Sequence, residues 1–124
     1  NRGAVGPLWH YGPVEDDLNL DMALRVKKAL EKLGAGVRLT RENAYTWHEP
    51  QRIVDIFRGA SPDLAVSIHF NSMERSADGS LYEGSVAFYN TLWSKGAAKT
   101  LLSAVGELTG RPVIGVSRGL YNAY

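Results

Sequence analysis

The chain has 124 residues, which suffices for one domain with a single hydrophobic core. Its 14 basic and 13 acidic residues give a net charge of +1, which argues against a domain that binds nucleic-acid backbones. The absence of cysteine excludes disulfide scaffolds, thiolate zinc sites and cysteine nucleophiles. No apolar run approaches the roughly 18 residues that a membrane span needs.

The first predicted regular element is an amphipathic helix over about residues 16 to 33, after a glycine- and proline-rich opening loop. The apolar residues that recur at spacings of three and four are Leu18, Met22, Val26, Ala29, Leu30 and Leu33. Acidic residues crowd the start of this segment and lysines lie toward its end, as the helix dipole favours. Gly34 follows as a residue suited to end the helix.

The rest of the chain alternates between strand and helix patterns. The predicted elements are a strand at 37–40, a helix opened by Pro50 and ended by Gly59, a buried strand at 64–68, a strand at 85–89, a helix over 97–108 closed by Gly110, and a short edge strand or ordered loop at 113–116. This alternation predicts an α/β fold: a single three-layer domain with a mostly parallel or mixed sheet flanked by helices. Such a sheet places its ligand site beyond the carboxyl ends of its strands.

Two features of the chain's start predict that the 124 residues are a segment of a longer protein. An α/β unit usually opens with a strand, whereas this chain opens with a loop that leads into a helix. The first residue is Asn1, whereas a translated chain normally begins with Met. We therefore expect residues 1–124 to be a segment of one domain that lacks its first strand.

Two side chains are candidates for chemistry. His69 directly follows the apolar run 64–68, where an imidazole is suited to be a metal ligand or general base, or to cap a core strand by hydrogen bonding. Glu15 opens the first helix, either as a solvated acid favoured by the dipole or as a carboxylate ligand. Zinc accepts both donors at about 2.0–2.2 Å, but two residues so far apart in sequence do not establish a site by spacing alone.

An ordered series of segments carries a resemblance to a known family. The segments are Glu-Asp-Asp-Leu-Asn-Leu at 15–20, Val-Arg-Leu-Thr-Arg at 37–41, Arg52, Asp-Leu-Ala-Val-Ser-Ile-His-Phe-Asn-Ser at 63–72, and Gly-Ser-Val-Ala-Phe-Tyr-Asn at 84–90. Together they closely resemble the zinc-dependent N-acetylmuramoyl-L-alanine amidases of the Amidase_3 family, which separate glycan strands from stem peptides in cell walls. The opening 3–6 resembles the end of the family's glycine-rich metal loop.

The resemblance implies a role for each matching residue. Glu15 matches the family's acidic zinc ligand and His69 its second histidine ligand. The family's first histidine ligand would precede Asn1, and its catalytic glutamate would lie on a last strand beyond Tyr124. The segment alone is therefore expected to bind Zn²⁺ poorly and to be inactive.

Two further residues have open alternatives. His10 is either an exposed loop residue or a replacement for the missing third zinc ligand. Asn71 either orients the turn that carries His69 or contacts substrate. The sequence does not decide between these roles.

The function that the resemblance implies is Zn²⁺-dependent cleavage of the amide bond between N-acetylmuramic acid and L-alanine in peptidoglycan. Such an enzyme would be a monomeric hydrolase that is secreted or acts in the cell envelope, for example as an autolysin, with no nucleic-acid partner. The alternative is a non-catalytic peptidoglycan-binding or regulatory module on the same fold. A nucleotide site is not indicated, because the chain has neither Gly-x-Gly-x-x-Gly nor Gly-Lys-Ser/Thr.

Overall fold

The computed structural model describes residues 14–46, 48–70 and 84–119. The chain divides into two compact units, Asn1–Arg75 and Ser76–Tyr124. The first unit contains helices α1 (Glu15–Lys32) and α2 (Pro50–Ala60), and the second contains strand β1 (Ser85–Tyr89), helix α3 (Ser94–Thr109) and strand β2 (Val113–Arg118). None of the described helices is long and apolar enough to cross a membrane.

Helix α1 ends in a glycine cap. Gly34 has a φ of +88°, and its N–H donates to the carbonyl of Glu31, while the N–H of Ala35 donates to the carbonyl of Leu30. These two bonds form a Schellman motif, which satisfies carbonyls that the helix itself leaves unpaired. The predicted helix over 16 to 33 and its glycine stop are therefore confirmed to within a residue at each end.

Helix α2 begins with Pro50 at its first turn, as predicted, because proline has no N–H to lose there and its φ suits a helix. The carbonyl of Glu49 accepts the N–H groups of Arg52 and Ile53. The helix passes the predicted stop at Gly59 and ends at Ala60. Its C-cap is Ser61, whose φ of 46° is left-handed and whose N–H donates to the carbonyl of Phe57.

Two predicted strands of the first unit are absent from the described residues. Segments 37–40 and 64–68 have no regular secondary structure, so the predictions of a short strand and of a strand buried on both faces are wrong. An apolar run predicts burial, but a strand also needs a hydrogen-bonded neighbour, and neither segment has one within the described part of the chain. Leu64 and Val66 are accordingly 49% and 54% exposed.

The second unit is a βαβ unit, which confirms the predicted α/β class. Strands β1 and β2 run parallel, in a register from Val86 opposite Gly115 to Tyr89 opposite Arg118. Helix α3 connects them and packs against both. The segment at 113–116, for which strand and loop were both open, belongs to β2.

The core of the second unit lies where α3 meets the sheet. Ala98 and Leu102, one helical turn apart, are the buried hydrophobic residues of the described chain. Close approach at one end of the sheet requires glycine, because a Cβ on Gly84, whose φ is +144°, would meet the carbonyl oxygen of Pro112 at 2.7 Å.

Candidate metal site at the start of the first helix

Glu15 is the first residue of α1, so the helix start determines where its carboxylate lies. Val14 precedes it with an extended backbone, φ −77° and ψ 134°, and no side chain caps the helix. The Val14 carbonyl accepts the N–H groups of Asp17 and Leu18 at 3.1 and 3.2 Å, which closes the first turn. The acidic residues of that turn are favoured by the positive end of the helix dipole.

The structure brings Glu15 and His69 together. The Nδ1 atom of His69 lies 3.2 Å from Oε1 of Glu15. The Glu15 side chain is largely covered, at 17% exposure, while His69 is 65% exposed. A carboxylate only accepts hydrogen bonds, so a direct bond between these atoms requires a proton on Nδ1. The pair thus joins a helix start to a residue far along the chain.

Asn19 connects the two halves of this pair. Its Nδ2 donates to Glu15 Oε1 at a long 3.5 Å, and its Oδ1 accepts the backbone N–H of Phe70 at 3.1 Å. Asn19 lies in the segment 15–20 that resembles the amidase family, but the sequence alone assigns it no role. The available signal was its position four residues after Glu15, which places both side chains on one face of a helix.

Arg41, which lies outside α1 in the sequence, donates hydrogen bonds to the first turn of that helix. Its Nη2 donates to both the Oδ1 and the backbone carbonyl of Asp16, each at 2.6 Å. The Arg41 side chain is 19% exposed and that of Asp16 is 39% exposed. Because Asp16 adjoins Glu15, this contact fixes the turn that carries the acid. Sequence reasoning gave Arg41 no role either, since the residues lie 25 positions apart.

The Glu15–His69 pair suits a divalent cation in the chemistry of its donor atoms and in the distance between them. Zinc binds carboxylate oxygen and imidazole nitrogen, and two ligands at about 2.1 Å around a tetrahedral ion lie about 3.4 Å apart. The observed 3.2 Å between Nδ1 and Oε1 is close to that separation. Both atoms could therefore bind one ion after a small shift, in place of bonding to each other.

The donor set among the described residues is incomplete for catalytic zinc, which typically has three protein ligands. Residues 14–46, 48–70 and 84–119 contain no group of three or more His, Cys, Asp or Glu side chains that could hold a metal. His10, the sequence's candidate for a replacement ligand, and Asn71, the candidate substrate contact, lie outside the described residues. Their roles stay predictions.

Comparison with known proteins assigns the chain to a family. The Amidase_3 family, described as N-acetylmuramoyl-L-alanine amidase, matches residues 1–123. N-acetylmuramoyl-L-alanine amidase LytC of Bacillus subtilis is 33% identical over 105 residues, which make up 85% of this chain but 19% of that protein.

Solved structures of two amidases share the fold. The catalytic domain of CwlV, an N-acetylmuramoyl-L-alanine amidase from Bacillus (Paenibacillus) polymyxa var. colistinus, is 29% identical with a TM-score of 0.84, and the match covers 99% of this chain and 65% of that one. An N-acetylmuramoyl-L-alanine amidase from Clostridium difficile has a TM-score of 0.85 at 21% identity, with the same coverage, which supports the fold alone. The chain thus spans about a fifth of the length of the curated relative and just under two thirds of each solved structure. It belongs to the N-acetylmuramoyl-L-alanine amidase family, Amidase_3.

Proposed function

We propose that this chain takes part in Zn²⁺-dependent hydrolysis of the amide bond between N-acetylmuramic acid and L-alanine of peptidoglycan. The observation that carries the proposal is the meeting of the Glu15 carboxylate and the His69 imidazole at 3.2 Å. Family membership supplies the substrate class, and the two donor types supply the metal. The site of action is accordingly the cell envelope or its exterior, where peptidoglycan lies.

Each residue of the site has a defined task in this proposal. Glu15 and His69 provide two of the protein ligands, and the remaining ligand comes from outside the described residues. Zinc, when bound, lowers the pKa of a coordinated water to about 7 and polarises a carbonyl. The largely covered Glu15 supplies negative charge on a fixed helix turn, and the exposed His69 leaves one side of the pair open to a polymeric substrate.

The test uses the native full-length protein and purified peptidoglycan. Zinc content is measured by mass spectrometry of the metal, and cleavage by the appearance of stem peptides with a free L-alanine amino terminus. We expect chelation to stop release and added Zn²⁺ to restore it. Glu15→Gln and His69→Gln should each weaken zinc binding by more than about 100-fold, beyond the usual effect of a residue that only supports a ligand.

Matched substitutions elsewhere in the same unit provide the controls. Glu49→Gln and His48→Gln make the same chemical changes at the entrance of α2, and both should leave zinc content and release unchanged. If the zinc-loaded native protein pellets with peptidoglycan yet releases no stem peptide, and Glu15→Gln behaves identically, the chain is a wall-binding module and the proposal is wrong.

A further inference from the structure

Asn19 makes two hydrogen bonds that require a side chain able to donate to one group and accept from another. The backbone N–H of Phe70 can only donate, and the carboxylate of Glu15 can only accept. The side chain must therefore turn its oxygen to Phe70, at 3.1 Å, and its nitrogen to Glu15, at 3.5 Å. A carboxylate could not donate to Glu15, and a leucine of similar size would satisfy neither group.

Among the described residues, the Asn19 bridge is one of two contacts that join the end of the His69 segment to α1. The segment 64–70 that leads to His69 has no regular secondary structure. Within the described part of the chain, two contacts join the end of this segment to α1: the His69–Glu15 pair and the hydrogen bond from the Phe70 N–H to Asn19. Of these two, only the second holds the backbone and leaves the imidazole available for a cation.

We propose that Asn19 is a positioning residue that sets the separation of Glu15 and His69 for a shared Zn²⁺ ion. This inference rests on the proposed function. Glu15 and Asn19 lie one turn apart on the same helix, so a bond from Asn19 to the residue after His69 places the imidazole opposite the carboxylate. Carboxylates that bind metals are commonly oriented by hydrogen bonds of this kind, and loss of such a partner typically weakens metal binding about 10–100-fold.

The test compares Zn²⁺ affinity among variants of the native full-length protein, by competition with a chromogenic chelator. Asn19→Leu and Asn19→Ala remove both hydrogen bonds and should raise the Kd for zinc about 10–100-fold. Asn19→Gln retains the amide and should recover part of the loss. Lys28→Leu introduces the same leucine at an exposed position of α1 and should leave the Kd unchanged.

Hydrogen exchange of the Phe70 amide in the metal-free protein is the second measurement. Exchange should accelerate in Asn19→Leu and Asn19→Ala and stay near wild type in Lys28→Leu. A purely structural role would lower the melting temperature and leave the zinc Kd of the folded variant unchanged. That result, in either Asn19→Leu or Asn19→Ala, overturns the inference.

The outcomes separate this inference from the proposed function. If wild type and Glu15→Gln bind zinc equally, the metal site itself is wrong, and the inference fails with it. If Glu15→Gln loses zinc while a folded Asn19→Leu retains wild-type affinity, only the role of Asn19 is wrong. Should neither Asn19→Leu nor Asn19→Ala fold, Asn19→Gln decides: a Kd tighter than that of Glu15→Gln supports the amide's role, and a Kd as weak as that of Glu15→Gln overturns it.

Discussion

Replacing Arg41 by methionine should measurably destabilise the protein, because it removes both bonds to Asp16 while keeping a side chain of similar length. Hydrogen bonds to charged groups contribute about 1.5–3 kcal/mol when covered, whereas exposed ion pairs contribute about 0–1 kcal/mol. Arg41 is 19% exposed, but Asp16 at 39% is screened by solvent, so we expect a loss of about 1–2 kcal/mol.

The expected change in melting temperature follows from the size of the chain. An unfolding entropy of about 2.1 cal/mol/K per residue gives about 0.26 kcal/mol/K for a cooperative unit of 124 residues, so Arg41→Met should lower the melting temperature of such a unit by about 4–8 °C. Circular dichroism at constant pH and salt measures this shift. Arg25→Met is the matched control on α1, because Arg25 and its partner Asp21 are 74% and 62% exposed and their loss should leave the melting temperature unchanged.

A double-mutant cycle shows whether the loss comes from the Arg41–Asp16 contact. If these residues stabilise the protein through each other, Arg41→Met combined with Asp16→Asn should cost clearly less than the sum of the two single changes. Additive effects, or an Arg41→Met melting temperature equal to that of Arg25→Met, would show that Arg41 does not hold the first turn of α1. The structural account of how Glu15 is positioned would then be wrong.

Two further predictions concern packing and charge outside the site. A Cβ on Gly106 of α3 would overlap Cγ2 of Val113, so Gly106→Ala should lower the free energy of unfolding by about 1–3 kcal/mol. A Cβ on Gly96 of the same helix meets nothing within 4 Å, so Gly96→Ala should raise it by about 0.5–1 kcal/mol. Equal urea midpoints for the two variants would contradict this prediction. The hydrogen bond to Glu42 raises the pKa of Lys27 above 10.5, so the stability that this pair adds is present below that pH and is lost as pH rises through the folded-state pKa. The stability difference between wild type and Lys27→Met should therefore be constant from about pH 7 to 9 and disappear in stronger alkali, and a difference that persists there would refute the assignment.

The helices could be predicted from the sequence because their signals are local. Apolar spacing, Pro50 at a helix entrance and Gly34 at a helix exit each act within one or two turns of the backbone. The sequence at 113–116 allows a strand or a loop, and the strands that it predicts at 37–40 and 64–68 are wrong, because strand formation depends on a neighbour that the local sequence does not specify. Apolar content alone does not distinguish a paired strand from an unpaired apolar segment.

The residues of the candidate site also differ in how far the local sequence predicts them. Glu15 and His69 could be predicted as candidate metal ligands because carboxylate and imidazole groups commonly bind metals. The resemblance to the amidase family also linked the two distant segments that carry them. Asn19 and Arg41 could not be predicted in this way, because amide and guanidinium groups are common on protein surfaces and acquire a role only from what they meet. Their partners lie 51 and 25 positions away along the chain, at Phe70 and Asp16. Candidate metal ligands can therefore be predicted from residue types, whereas the residues that contact those candidates become apparent only in the folded structure.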